Sequence, residues 1–525
     1  MTSKNHHTLA RSAGIFTGAT LLSRILGYMR DSMVATFFGA GAAADAFYAA
    51  FRISNLFRRL LGEGALSASF IPVFSEYSEK YGKEETQNFL NVMFTTLLFL
   101  LTLLTVLGVI FAPQITRLIA MGFERTPERF ALTVTLTRYM FPFLLFISLA
   151  ALITGVLNSF HSFFLPALAP ACLSIAEIGY ILGLAPLLSP DKAAIGLAIS
   201  VTIGGFSQFF IHIPALWQKG YSLRLRWDPD HKGARRVGKL MVPATLGISV
   251  DQIDAFVDTI CASFLAEGSV TALYYSNRVM QLPLALFGIA LSQVSLPTMA
   301  AAVARKDTQL VKDTLNFALR LTLFMIAPAT VGLIVLGRPI VQVLFQHGRF
   351  SAHATDMTNW ALLFFSLGLF AYAAVKILAS AFYAYQNTRT PVIIAACCVA
   401  LNVTMDLLLM RPMGVGGLAL STATASWVNM VCLFFSLRKR IGLLGGRRIA
   451  VTMLKSVCGC AGMTAFCWFI MHAHYSVKIP LAVLLTVAIA GGAAVYMAIA
   501  RLLRMEEWTP FWAQLSRSRP VEIVD

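Results

Sequence analysis

Between positions 23 and 63 an otherwise apolar stretch, SRILGYMRDSMVATFFGAGAAADAFYAAFRISNLFRRLLGE, carries Arg24, Arg30, Asp31, Asp45, Arg52, Arg58, Arg59 and Glu63. Ionisable groups inside a hydrocarbon span are costly, so they usually face a bundle interior or a water-filled cavity and mark the path of a substrate or ion. A guanidinium grips phosphate oxygens in a bidentate fork and keeps its proton at working pH. The arginine surplus therefore points to an anionic substrate, and several arginines together suit a diphosphate. Asp45, Arg52 and Arg59 recur every seven residues with Glu63 four later, which is one face of a helix. Arg24 and Asp31 are also seven apart, with Gly27 between them to allow a bend or a close helix approach. Arg278, in TALYYSNRVMQLPLALFG, brings in a further helix. The plainer alternative makes Arg58 and Arg59 anchors at a helix end and Arg24 with Asp31 a structural ion pair.

A second constellation lies far along the chain. Asn402 and Asp406 are four residues apart, as are Leu418 and Thr422 across the next turn. With Asp258 they offer side-chain and carbonyl oxygens of the kind a hard monovalent cation such as Na⁺ takes. The same residues would equally form a buried hydrogen-bond cluster bridging helices.

The elements that must position these groups follow from composition. Of 525 residues, 57% are hydrophobic and only 13% charged, with a mean hydropathy of +0.72. Soluble domains carry about 25% charged residues, so this is an all-α integral membrane protein. Counting about 20 apolar residues per crossing gives about fourteen transmembrane helices. The charged stretch falls in the first two, at about 14–38 and 43–70; Asp258 falls in the seventh, Arg278 in the eighth, and the oxygen-rich pairs in the eleventh and twelfth. An even number of crossings puts both termini on one side.

The net charge of +17 would suit nucleic acid, but the bases cluster in loops, where they set orientation. The link after the sixth span holds Lys219, Arg224, Arg226, Lys232, Arg235, Arg236 and Lys239, and the link after the twelfth holds Arg438, Lys439, Arg440, Arg447 and Arg448. Both termini are thus expected in the cytoplasm, with no nucleic-acid partner. The interleaved Leu and Arg of the 219–239 link, with Trp227 nearby, suggest a short amphipathic helix on the membrane surface.

An internal repeat organises the chain. Asp31, Ala35, Phe37, a glycine-containing turn, Ala46, Tyr48 and Arg52 match, in order, Asp258, Ala262, Phe264, Gly268, Ala272, Tyr274 and Arg278. Such symmetry implies two pseudo-symmetric six-helix lobes, 1–217 and 238–440, joined by a cytoplasmic linker, 218–237, with the substrate site between the lobes. Residues 441–525 add two extra C-terminal helices and a tail.

Other chemistry is not signalled. All eight cysteines, Cys397-Cys398 and Cys458-Gly-Cys460 included, fall in apolar segments without zinc-site spacing. The sequence shows no P-loop, zinc-binding His pair or nucleophile elbow. Two short motifs remain, LFQHGRF at 344–350, expected to be re-entrant or interfacial, and FYAYQNTRTP at 382–391, expected as a polar turn.

Five stretches, SRILGYMRD, the FFGAGAAADAFYAAFRISNLFRRLLGEG segment, YYSNRVMQLPLALFGIALSQVSLP, LFQHGRF and FYAYQNTRTP, closely resemble the bacterial MurJ/MviN lipid II flippase family of the multidrug/oligosaccharidyl-lipid/polysaccharide exporter superfamily. The resemblance covers nearly the whole chain. It implies an inner-membrane, non-enzymatic carrier that moves undecaprenyl-diphosphate-linked peptidoglycan precursor, lipid II, from the cytoplasmic to the periplasmic leaflet by alternating access, in contact with membrane lipids and the cell-wall synthesis machinery. It further implies that Arg24, Arg30, Arg58 and Arg278, with Asp45, line a central cavity. Spans thirteen and fourteen would form a groove for the lipid tail, and Asp258, Asn402, Asp406, Leu418 and Thr422 would bind Na⁺.

Where relatives bracket the eighth-span arginine with acids, this chain has Asn277 and Gln281. The family pattern favours Arg58 and the helical spacing favours Arg59, a difference that a helix break near Ser54-Asn55 would reconcile. Rival readings are a cation-coupled multidrug exporter of the same superfamily, which would present carboxylates rather than arginines to its substrate, and a membrane glycosyltransferase, which would need a larger outward loop than 113–130.

Overall fold

The computed structural model describes residues 3–58, 66–473 and 479–508. These form helices and turns, with no strand among the described residues. The helices are α1 (Ser3–Phe38), α2 (Ala42–Phe57), α3 (Leu66–Lys80), α4 (Gly82–Ile110), α5 (Ala112–Ile119), α6 (Pro127–Ser159), α7 (Phe164–Leu168), α8 (Pro170–Gly183), α9 (Pro190–Gln218) and α10 (Lys232–Ser263). They continue with α11 (Ser269–Pro283), α12 (Ala290–Ala304), α13 (Thr308–Phe345), α14 (Ala352–Leu367), α15 (Leu369–Ala384), α16 (Arg389–Met413), α17 (Val415–Ile441), α18 (Gly446–Ala473) and α19 (Leu481–Leu502).

Every expected crossing coincides with one or more of these helices. Ten helical stretches among the described residues are long and apolar enough to cross a bilayer, and the α14–α15 pair, bent by 42°, makes an eleventh. The expected first, second and seventh crossings, built on α1, α2 and α10, are not among them. These are the segments that carry Arg24, Arg30 and Asp31, then Asp45 and Arg52, then Asp251, Asp254 and Asp258. In α1 and α10 charge lowers the very signal by which a span is recognised, and α2 is described over 16 residues only.

By chain contacts the protein divides into two compact units, Met1–Thr271 with His347–Ser351, and Ala272–Gln346 with Ala352–Asp525. The division falls one helix beyond the 218–237 linker, because α10 packs on α3 and beside the Met121–Arg125 turn.

In unit 1, α6 is the central helix and touches α2, α3, α4 and α9. Its apolar window is 72% buried, which fits a helix surrounded by protein rather than lipid. Phe70, Phe74, Phe89, Leu152, Ile153 and Val156 form the core around it. The LFQHGRF turn docks onto the α1–α2 corner, where the Arg349 amide donates to the Thr36 carbonyl at 2.9 Å and its guanidinium lies over the Phe37 ring. Gly39, at φ +68°, makes that corner possible, since a Cβ there would sit 2.6 Å from the Arg349 carbonyl oxygen.

Over the Leu- and Arg-rich part of the 219–239 link the expected amphipathic helix does not form, and helix begins only at Lys232 with α10. Residues 221–228 run extended along α4 and are held there by side chains on one face of that helix. Gln87 Oε1 accepts from the Ser222 amide at 2.9 Å, Asn91 Oδ1 from Arg224 at 3.0 Å, and Thr95 Oγ1 from Arg226 at 2.8 Å. The spacings match: four residues of helix advance about 6 Å and two residues of extended chain about 6.6 Å. The interleaved Leu and Arg thus express a period of two rather than a helical face.

In unit 2, α13 packs against α12, α14, α15 and α18. The α18–α19 pair closes tightly through small residues: Gly459 faces the Tyr496 ring and Gly492 the Cys467 sulfur, each with 2.8 Å to a would-be Cβ. Tyr496 donates to the Phe324 carbonyl at 2.8 Å and so ties α19 to α13.

The α4 ladder generates a prediction. Asn91→Ala removes the acceptor for the Arg224 amide, so unfolding stability should fall by about 1–2 kcal/mol. Limited trypsin digestion should cut after Arg224 and Arg226 faster than in the unaltered protein; an unchanged digestion rate would show that the ladder does not hold the link.

Candidate functional site

In unit 1 the charged residues of α1 and α2 are placed by the tight turn between these helices and by neighbours on α6, α8 and α10. Arg24 is exposed on α1, and Gly27, one turn on, is buried. Arg30 and Asp31 are both buried: the guanidinium donates to Asp31 Oδ1 from Nε at 3.0 Å and from a terminal nitrogen at 2.6 Å. Its other terminal nitrogen lies 3.6 Å from Glu177 Oε1 on α8. Arg30 thus faces two buried carboxylates, hydrogen-bonded to Asp31 and within ion-pair distance of Glu177, as ionisable groups inside a span tend to cluster with one another.

Asp45 is fully buried near the start of α2. Its carboxylate accepts from the Gly268 amide at 2.7 Å, the Thr271 amide at 2.8 Å and the Thr271 hydroxyl at 2.6 Å, and it pairs with Arg129 at the start of α6. The Arg129 guanidinium also lies 3.7 Å above the Phe123 ring centroid. The first amides of a helix have no partner within it. Asp45 fills that need in the first turn of α11, and Glu267 returns the service by accepting the Ala42 amide of α2 at 2.6 Å. Each helix start is therefore capped by a carboxylate from the neighbouring turn, where the helix dipole also favours negative charge.

The two turns that cap one another, α1–α2 and α10–α11, are those the internal repeat pairs in sequence. Both contain a glycine in the left-handed region, Gly39 at φ +68° and Gly268 at φ +89°.

Arg52 is half-buried on α2, and Arg58 follows the helix end, where its Nε donates to Asn55 Oδ1 at 2.8 Å. The helix break expected at Ser54-Asn55 does not occur. Helix α2 continues through Phe57, and the Ser54 hydroxyl donates to the Met140 carbonyl of α6 at 3.4 Å instead of competing for its own backbone. Arg59 and Glu63 lie outside the described residues.

In unit 2, Arg278 is half-buried on α11, just over a turn before Pro283. Past that proline the helix relaxes into a π-helical turn, Leu284–Ile289, before resuming as α12. A proline ring clashes with the preceding turn and removes one N–H, and a wide turn absorbs both. Asn277 and Gln281 hydrogen-bond one another on the same helix.

The oxygen-rich set lies mainly on α16 and α17, which pack together. Asn402 and Asp406 are fully buried, with Asn402 Nδ2 donating to Asp406 Oδ2 at 3.3 Å, and the Thr422 hydroxyl donates to the Leu418 carbonyl at 3.0 Å. One carboxylate with amide, hydroxyl and carbonyl oxygens is a hard donor set of low charge, chemically suited to a monovalent cation. Asp258 is half-buried on α10 in unit 1.

Three residues that the sequence reading passed over complete the picture, Arg129, Glu177 and Glu267. Glu177 was the most legible, because it is a lone acid in the apolar run PACLSIAEIGYILG and such acids are rare without a partner. Arg129 and Glu267 sit at helix ends, where charges are common.

A helical membrane chain with such charges inside its spans has the architecture of a transporter. A multidrug resistance MATE family transporter of the MOP superfamily, in an inward-facing conformation, overlays 82% of this chain and 98% of its own at a TM-score of 0.66 and 15% identity, which shows the shared fold. A solved lipid II flippase MurJ in an inward closed conformation overlays 96% of this chain and 99% of its own at a TM-score of 0.77 and 28% identity. The family description "Lipid II flippase MurJ" matches residues 34–486. The lipid II flippase MurJ of Burkholderia cenocepacia is 36% identical over 467 residues, 87% of this chain and 90% of its own. The probable lipid II flippase MurJ of Haemophilus influenzae is 35% identical over 86% of this chain and 90% of its own. The chain belongs to the lipid II flippase MurJ family.

The Asp45–Arg129 pair carries a clear expectation. Removing one partner leaves the other charge buried, so Asp45→Asn and Arg129→Gln should each cost about 3–5 kcal/mol. The double substitution should cost less than the sum. Thermal unfolding of the purified proteins measures both, and strictly additive losses would show that the two side chains are not coupled.

Proposed function

We propose that this protein carries lipid II across the bacterial inner membrane, from the cytoplasmic to the periplasmic leaflet. The observation that carries this reading is the match to lipid II flippases along nearly the whole length of both chains. The charge pattern agrees in sign, since arginines outnumber acids in the first two expected spans and a diphosphate is an anion. The likeness to drug exporters rests on the fold alone and supplies no substrate.

In this proposal Arg24, Arg30, Arg52, Arg58, Arg59 and Arg278, with Asp45, form the substrate-binding set. Only the diphosphate, sugar and peptide need protein cover while the polyprenyl tail stays in lipid, and α18 and α19 offer it a surface. The head group is exposed alternately to the two sides as the lobes rearrange. Both termini face the cytoplasm, which places the basic 219–239 and 438–448 links on the side where such loops are retained. A membrane potential positive outside favours outward movement of a net anion by about 2.3 kcal/mol per charge per 100 mV. Na⁺ held by Asp258, Asn402, Asp406, Leu418 and Thr422 resets the cycle, and the cell-wall synthesis machinery receives the product.

Roles within this set differ in what they ask of a side chain. Arg30 and Asp45 are engaged by protein partners, so each contributes to substrate handling only as those partners release it. Arg24, exposed on α1, is the more direct candidate for phosphate contact.

Two outcomes test the reading. Arg24→Ala and Arg278→Ala should lower lipid II translocation in proteoliposomes by at least about tenfold, the loss of one charge-assisted bidentate contact, with the unfolding temperature unchanged. Full translocation by both variants would remove the arginines from the mechanism. Separately, replacing K⁺ by Na⁺ at constant ionic strength should raise the unfolding temperature of the unaltered protein but not of Asp406→Asn. An equal rise in both would place Na⁺ elsewhere.

A further inference from the structure

A cavity of about 220 Å³ opens in unit 2 where the end of α19 meets the start of α18 and the flank of α13. Arg320, Arg447, Arg448 and Lys455 line it together with Glu506 and Glu507, so four cations face two carboxylates and two positive charges are in excess. The acids are already committed. Glu506 Oε2 accepts from Arg320 at 2.7 Å, and Glu507 Oε1 lies 3.3 Å from Arg320 Nε while accepting the Thr452 hydroxyl at 2.9 Å. Arg320 is itself buried, at 8% exposure, so this half of the cavity is a fixed wall.

The opposite wall is built differently. Arg448, Thr452 and Lys455 fall on one face of α18, spaced four and then three residues apart, with Arg447 beside them. Arg447 and Arg448 are exposed; Lys455 is half-buried and reaches the Arg504 carbonyl at 3.3 Å. The field is positive overall: hydrogen bonding and charge from Arg320, with smaller contributions from Arg448 and Lys455, hold the exposed Glu506 carboxyl below the usual range.

The rim is apolar at Val451, which lines the cavity, is 46% exposed and lies on a helix of membrane-spanning length. A basic pocket at the end of a span, edged by a side chain that belongs in acyl chains, matches the chemistry of a lipid head group.

We propose that this cavity binds a phosphate group, delivered by an anionic phospholipid whose acyl chains lie against the apolar rim. None of the arginines of α1, α2 or α11 lines it, and it takes a resident lipid rather than the transported one. Arg447, Arg448 and Lys455 supply the contacts, while Arg320 positions the wall through Glu506 and Glu507. A bound lipid would clamp α18 and α19 to α13 at the membrane edge.

The test uses the full-length protein in phosphatidylcholine nanodiscs containing a graded fraction of phosphatidylglycerol, with retained lipid counted by native mass spectrometry. In the variant Arg447→Gln/Arg448→Gln/Lys455→Gln the apparent affinity for phosphatidylglycerol should fall by at least about tenfold. In Arg438→Gln/Lys439→Gln/Arg440→Gln, which removes as many charges from the end of α17, it should not change. Lys455→Gln alone gives the same direction with a smaller fall, should the triple variant fail to fold. Adding inorganic phosphate at constant ionic strength separates the sources: displacement of phosphatidylglycerol assigns the contact to the phosphate itself, and persistence assigns it to the intact lipid. Equal phosphatidylglycerol binding by the pocket variant and the unaltered protein, or an equal loss in the α17 variant, overturns the proposal.

Discussion

Charge carried inside a membrane span must be compensated by the protein itself, and the local architecture around α1 and α2 follows from that constraint. Water is absent from the hydrocarbon layer, so an uncompensated ion costs several kcal/mol or more. The protein answers with clusters rather than lone pairs. Arg30 is shared by Asp31 and Glu177, and Asp45 is met by Arg129 together with two amides and a hydroxyl. Each cluster joins residues from two or three helices, so charge compensation and helix packing become one structural fact.

The same economy governs helix ends. Helices α2 and α11 begin beside one another with unmet amides, and each takes a carboxylate from the other's turn. Both turns carry a left-handed glycine, but the two carboxylates are placed differently, Asp45 within the first turn of α2 and Glu267 ahead of α11. The cross-capping also keeps Asp45 fully buried, while Glu267 caps from an exposed position. An acid that caps a helix is stabilised by the dipole and by several donors at once.

Membership of the lipid II flippase family and the arginine surplus fit together through the nature of the cargo. Only the head group of a polyprenyl lipid must leave hydrocarbon, so the protein needs polar, cation-bearing surface within its spans and can leave the tail outside. A second gathering of cations, Arg320, Arg447, Arg448 and Lys455, lines the cavity by α13, α18 and α19.

The sequence by itself determined the class and the approximate positions of the ten or eleven spans that the described residues bear out, because these depend on local hydropathy. It also marked the residues that bear charge, from Arg24 to Arg278, and the Asn402–Asp406 and Leu418–Thr422 pairs, since four-residue spacing fixes which side chains share a face. It passed over Arg129 and Glu267 and misjudged the 219–239 link. The partners of Asp45 come from positions 129, 268 and 271, and those of the 222–226 backbone from 87, 91 and 95, distant in sequence. Only the tertiary structure decided which charges are clamped, which helix starts are capped and which stretch runs extended, because each is settled by groups brought together in space that no local pattern connects.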